Sequence, residues 1–94
     1  MATIGVLTLE LHIEHAQSLK DKRQVVRSLK DRLRSKFNVA AAEIDHQENR
    51  QRAVIGVVTL AGDRSRVERV LQMAEKDAAN LLGGLLVGAE VDYF

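Results

Sequence analysis

The sequence contains no cysteine, no proline and no tryptophan, and its only aromatic residues are Phe37, Tyr93 and Phe94. The lack of cysteine excludes a disulfide framework, a thiolate nucleophile and a cysteine metal site. Without proline, every break in regular structure has to come from glycine or from polar turns. No apolar run approaches the ~20 residues that a membrane-spanning helix requires, and the first residues lack the pattern of a secretory signal. A cytoplasmic protein with no membrane partner is the expectation. None of the three aromatics falls in the middle of a predicted strand, so the base-stacking platform of an RNA-recognition domain is missing. The chain also lacks a P-loop, a G-x-G-x-x-G, an H-E-x-x-H and a nucleophile elbow, so neither catalysis nor a cofactor is expected.

What remains is a chain of 94 residues, 46% hydrophobic and 29% charged, which fits one globular domain over residues 1–94. The net charge is only +1 but is unevenly spread. From Ser18 to Lys36 eight Lys or Arg stand against two Asp, a balance of +6, and the rest of the chain carries −5. Such asymmetry points to a localised contact with something anionic, or to a solvated helix face.

Residues Thr3 to Glu14 read as a strand, with Leu7, Leu9, Leu11 and Ile13 alternating with Thr8, Glu10, His12 and Glu14. Ser18 reads as an N-cap and Asp21 completes an S-x-x-D capping pattern. The helix that follows ends at Phe37-Asn38, with Val26, Leu29 and Leu33 facing the core and Leu19 and Lys22 beside them. A second strand over Val39 to Asp45, a polar hairpin over His46 to Gln51 and a third strand over Arg52 to Ala61 come next. Gly62-Asp63 opens a second helix from Arg64 to Leu82, with Val67, Val70, Leu71, Ala74, Ala78 and Leu81 as its apolar stripe. Gly83-Gly84 stops that helix, and Leu85 to Tyr93 is the last strand.

The order β-α-β-β-α-β predicts an α+β, ferredoxin-like sandwich, with two helices on one face of a four-stranded antiparallel sheet. Its third strand, AVIGVVTLA, is apolar on both faces. Strands of that kind are buried on both sides, so a second copy of the chain is expected to cover the open face of the sheet, as a homodimer.

Lys20, Arg23, Arg27, Lys30 and Arg34 recur at spacings of three and four. On a helix they fall within about 80° of arc, centred roughly 110° from the apolar stripe, as a ridge about 20 Å long. Phosphates of a nucleic-acid backbone are the natural complement of such a ridge, and arginine can contact them bidentately. The alternative is a solubilising face whose cations pair loosely with neighbours, such as Arg27 with Asp31.

The predicted topology runs the first and second strands parallel, with the third between them. The end of strand one, the start of helix one and the hairpin then share an edge. That edge gathers Lys20, Lys22, Arg23, His46, Gln47, Arg50 and Arg52 around a helix N-terminus, which itself favours anions. His12, Glu14 and His15 end near Asp45 and His46, but their spacing does not make them converge, so no metal site is assigned. An arginine and an asparagine on this scaffold are acylphosphatase-like ingredients, but no glycine-rich anion loop follows strand one.

The segments S-L-K-D-K-R at 18–23, L-K-D-R-L at 29–33, K-F-N-V at 36–39, E-I-D-H-Q at 43–47 and Q-R-A at 51–53 carry a resemblance. They are similar to the YlxP-like small bacterial proteins, a family classed as a domain of unknown function. The resemblance covers nearly the whole chain and implies a ferredoxin-like fold with no established catalytic residues. The family's genes often lie among those for ribosome maturation and translation initiation, which implies a role on RNA or the ribosome. The residues that match the motif are Lys20, Lys22, Arg23, Asp45, His46, Gln47 and Arg52. The family usually has an aromatic or similar residue in the hairpin, where this chain has Glu48-Asn49-Arg50.

The expected function is therefore an RNA- or ribosome-associated protein that binds phosphates through helix one and the hairpin edge. The alternative is a homo-oligomeric interaction module that works through its apolar sheet face, with no nucleic-acid role.

Overall fold

A computed structural model describes all 94 residues. Its elements run β1 (Thr3–His12), α1 (Leu19–Lys36), β2 (Ala40–Asp45), β3 (Arg52–Ala61), α2 (Arg64–Leu82) and β4 (Leu86–Tyr93). The four strands form one sheet in the order β2-β3-β1-β4, with every neighbouring pair antiparallel. Both helices lie on one face, so the fold is the ferredoxin-like sandwich expected from the element order.

Each helix starts where a side-chain oxygen replaces a missing intrahelical acceptor. The Ser18 hydroxyl accepts from the Asp21 amide at 3.1 Å, and the Asp21 carboxylate accepts from the Gln17 amide at 3.0 Å. In α2 the Asp63 carboxylate accepts from the Arg66 amide at 2.9 Å. Gly83 ends α2 with φ of 56°, a conformation that only glycine adopts without strain.

The core is a two-layer contact between alternate residues of β1 and β3 and the apolar stripes of the helices. Leu7, Leu9, Leu11, Ile55 and Val57 meet Val26, Leu29 and Leu33 of α1 and Val67, Leu71, Ala74 and Ala78 of α2. α1 packs against β2 and β3, whereas α2 packs against β1, β3 and β4. α2 comes closest at Gly5, where a β-carbon would collide with Val67 Cγ1 and stand 2.7 Å from Leu71 Cδ1.

Several expectations are corrected in detail. β1 ends at His12, not Glu14, although the Ile13 amide still donates to the Gln51 carbonyl at 2.7 Å. β4 starts at Leu86 because Gly83–Leu85 forms a short 3-10 turn. In α2 Leu82 is buried, while Leu81 is 40% exposed and Val70 half-buried, since the stripe follows the side of the helix that faces β1. No helix is long and apolar enough to cross a membrane.

Candidate nucleic-acid interface

α1 displays three kinds of cation, sorted by their angle around the helix. One side faces α2, and there Arg32 and Lys36 both reach the Asp77 carboxylate at 2.8 Å. Hydrogen bonds from Arg32, then from Lys36, hold the Asp77 carboxyl below its usual range. A second direction points into the core, where Lys22 takes its place with Val26, Leu29 and Leu33 at intervals of four and three. The third side faces away from α2, beside the free edge of β2. It carries Lys20, Arg23, Arg27, Lys30 and Arg34, with Lys30 half-buried and the other four exposed.

Within this row only Arg34 has an acidic partner, Asp31, at 2.9 Å. Asp31 turns to Arg34 and not to Arg27, which was the pairing expected of a solvated face. Lys20, Arg23, Arg27 and Lys30 form no ion pair. From Lys20 to Lys30 they cover ten residue steps, about 15 Å of helix.

Lys22 overturns an expectation. Its position in the motif predicts an anion contact, but its side chain is only 1% exposed. Its Nζ donates to Glu43 Oε2 at 2.8 Å and to the carbonyls of His46 at 2.8 Å, Gln47 at 3.2 Å and Arg52 at 3.3 Å. Three protons shared among four oxygens leave nothing for an external anion. Lys22 instead ties the first turn of α1 to both ends of the hairpin.

The shared edge does form, and Gln51 completes it. Its side-chain amide donates to the carbonyls of Glu14 at 3.1 Å and Ala16 at 3.3 Å, which fixes the loop before α1. The Asn49 side chain accepts from the amides of Gln51 and Arg52 at 2.9 and 3.1 Å. His46, at φ of 60°, makes the left-handed bend, and its amide is held by the Asp45 carboxylate at 2.7 Å. The Gln47 side chain donates to the Glu43 carbonyl at 3.3 Å.

His46 and Gln47 thus hold the hairpin through backbone carbonyls and an internal amide bond. Arg52 lies across the open sheet face, bonded to Glu10 at 3.0 Å. Arg50 is exposed and unpaired, but Asp45 and Glu48 stand exposed in the same hairpin. The positive surface is therefore the helix row and not the hairpin.

His12 and His15 flank a shallow cleft with Glu14, Leu82 and Val87, on the β4 side of β1. His46 lies beyond β3, and no group of three or more His, Asp or Glu side chains gathers with ligating geometry.

Sequence reasoning missed Glu43, Gln51 and Asp77. Glu43 and Gln51 each open a segment that carries the resemblance, and Glu43 left a physical signal as well. It follows Val39 and Ala41 at every second position, which puts an acid on the helix-facing side of β2, across from an inward lysine.

The model of a family described as protein of unknown function (DUF503) matches residues 4–87. The uncharacterized protein YlxP of Bacillus subtilis (strain 168) is 38% identical over 69 residues, which is 73% of this chain and 75% of that protein. Among solved structures, the de novo designed protein Foldit4 aligns with a TM-score of 0.63 at 13% identity, over 100% of this chain and 97% of that one. A dimeric protein of unknown function and ferredoxin-like fold from Bacteroides fragilis NCTC 9343 aligns at 0.60 and 10% identity, over 98% and 94% of the two chains. These structural likenesses concern the fold alone. The family match and the relative agree: the chain belongs to the DUF503 family, whose function is unknown.

Proposed function

We propose that this protein binds RNA, in a ribosomal setting, by laying the Lys20–Arg23–Arg27–Lys30 row along the phosphate backbone. One observation carries the reading. Every other cation of α1 is neutralised by an acid within 2.9 Å, and these four are not. The row is long enough for about four successive phosphates of one strand. No aromatic side chain lies among its cations. Phe37 packs against the core, and Tyr93 is half-buried with Arg64 stacked 4.1 Å from its ring centre. Contact is therefore electrostatic and largely independent of base sequence. The open sheet face carries Glu90 and Asp92 without a cationic partner, beside Glu10 bonded to Arg52, and repels RNA.

Ribosome co-sedimentation, with fluorescence anisotropy on a ribosomal RNA fragment, tests this. Four contacts give a slope of log affinity against log salt of about −3 to −4, and Arg23→Glu/Arg27→Glu abolishes binding. Binding unchanged in that variant would show that the row is a solvated helix face.

A second reading is self-association through the open sheet face. Ile4, Ile44, Val58, Leu60 and Phe94 are all exposed there, and the Bacteroides fragilis protein of like fold is described as dimeric. Sedimentation equilibrium across micromolar concentrations tests it. A purely monomeric mass refutes it.

A further inference from the structure

We infer that self-association, if the second reading holds, is off-centre: two copies meet face to face over β2, β3 and the start of β1, and leave β4 uncovered. The strand registers map the open face row by row. One row runs Ala40, Val58, Val6, Asp92 from β2 to β4. The row nearer the hairpin runs Ala42, Gly56, Thr8, Glu90, and on the other side Leu60 and Ile4 lead to Phe94. Ile44 lies over Gly56, where a β-carbon would stand 3.3 Å from its Cγ2, so the lack of a side chain at Gly56 keeps this part flat. The face is thus apolar on β2, β3 and the start of β1 and acidic along β4, while Glu10 is paired with Arg52 at 3.0 Å.

Symmetry limits how two such faces can stack. A twofold axis that stacks two facing sheets with their strands aligned runs either along the strands or across them. With the axis along the strands, centred stacking sets β4 on β2 and presses the Asp92 and Glu90 carboxylates onto the methyl groups of Ala40 and Ala42. Neither acid has an ion pair within its own chain, and none awaits it on the other copy's β2. With the axis across the strands, β4 lies on β4 and four carboxylates face one another. With the axis along the strands, a shift of about one to two strand widths, roughly 5–10 Å, toward β2 uncovers β4 and keeps the apolar rows in contact, whereas with the axis across the strands closed symmetry holds β4 on β4. A second copy fits this patch better than an anionic surface does, because the acidic flank repels anions. The footprint, three strands by four rows, is on the order of 400 Å² per copy, which places the pair among weak, micromolar dimers.

Sedimentation velocity over a concentration series separates the outcomes. Val58→Glu raises the dimer dissociation constant at least about hundredfold. Leu60→Lys, at a side chain 62% exposed and so harmless to folding, raises it at least about tenfold. Glu90→Gln/Asp92→Asn leaves it within about threefold, because those carboxylates stay in water. A dimer that tightens more than about tenfold in Glu90→Gln/Asp92→Asn has its acids buried, which overturns the off-centre arrangement while self-association stands. A wild-type chain that stays monomeric at every concentration overturns self-association itself.

Discussion

The ammonium of Lys22 lies 2.8 Å from a carboxylate oxygen of Glu43, with the two side chains 1% and 16% exposed. Burying such a pair costs solvation, which a single ion pair does not fully offset. Three backbone carbonyls of the hairpin make up the difference by accepting from the same nitrogen. Lys22→Met would leave the carboxylate unpaired and take a donor from three carbonyls, of which His46 keeps the Asn49 amide at 2.9 Å, for a loss of about 3–5 kcal/mol by urea denaturation. Arg52→Met, which breaks a half-exposed pair with Glu10, is expected to lose at most about 1 kcal/mol. Equal losses would mean that the buried lock has no special weight. Adding Glu43→Leu to Lys22→Met recovers part of the loss by removing the stranded charge.

The bridge between Arg32, Lys36 and Asp77 makes stability depend on pH at the acid end. The native Asp77 carboxyl titrates below its ordinary value of 3.8, so the unfolded chain takes up the proton first as pH falls. The stabilisation is therefore fully present above about pH 4 and is lost as pH drops through the native value. Asp77→Asn should melt lower than wild type at about pH 7, and the gap should close toward about pH 3. A gap independent of pH would assign the effect to packing and not to charge.

Gly5 marks the place where α2 lies directly on β1. A methyl group there would collide with Val67 Cγ1 and meet Leu71 Cδ1 at 2.7 Å, both in the core. Gly5→Ala should cost about 1–3 kcal/mol by chemical denaturation, through displacement of α2. Gly88→Ala, which would meet only the Glu10 side chain, at Oε2 (3.2 Å) and Cβ (3.5 Å), should cost less.

Gly83 and Gly84 separate conformational need from space. Neither has an atom within 4 Å of a β-carbon position, but only Gly83 has a positive φ, at 56°. Gly83→Ala should lower stability by about 1–3 kcal/mol from backbone strain alone. Gly84→Ala should be neutral or slightly stabilising by thermal melting.

Period and punctuation made the fold legible. The two-residue alternation of Leu7, Leu9 and Leu11, the three-four spacing of Val26, Leu29 and Leu33, and the caps at Ser18 and Asp63 each act within one or two turns of chain. Local rules therefore placed both helices and β3 closely. They failed at the start of β4, where the 3-10 turn depends on how α2 meets the sheet. For the candidate site, the angular position of each cation could be read, but its partner could not. Lys22 and Lys20 share a motif and a charge, yet one is enclosed and the other exposed.

By itself the sequence determined that α1 carries a cationic stripe beside an apolar one, that four strands and two helices alternate in a ferredoxin-like order, and that β3 is apolar on both sides. Only the tertiary structure decided which cations are free. Asp77 lies 41 residues beyond Lys36 and Glu43 lies 21 beyond Lys22, and folding alone brings each acid to its base. Electrostatic neutralisation acts over a few ångströms in space whatever the separation along the chain. The ridge therefore contracts to Lys20, Arg23, Arg27 and Lys30, while Lys22, its nearest neighbour in the motif, holds the protein together from inside.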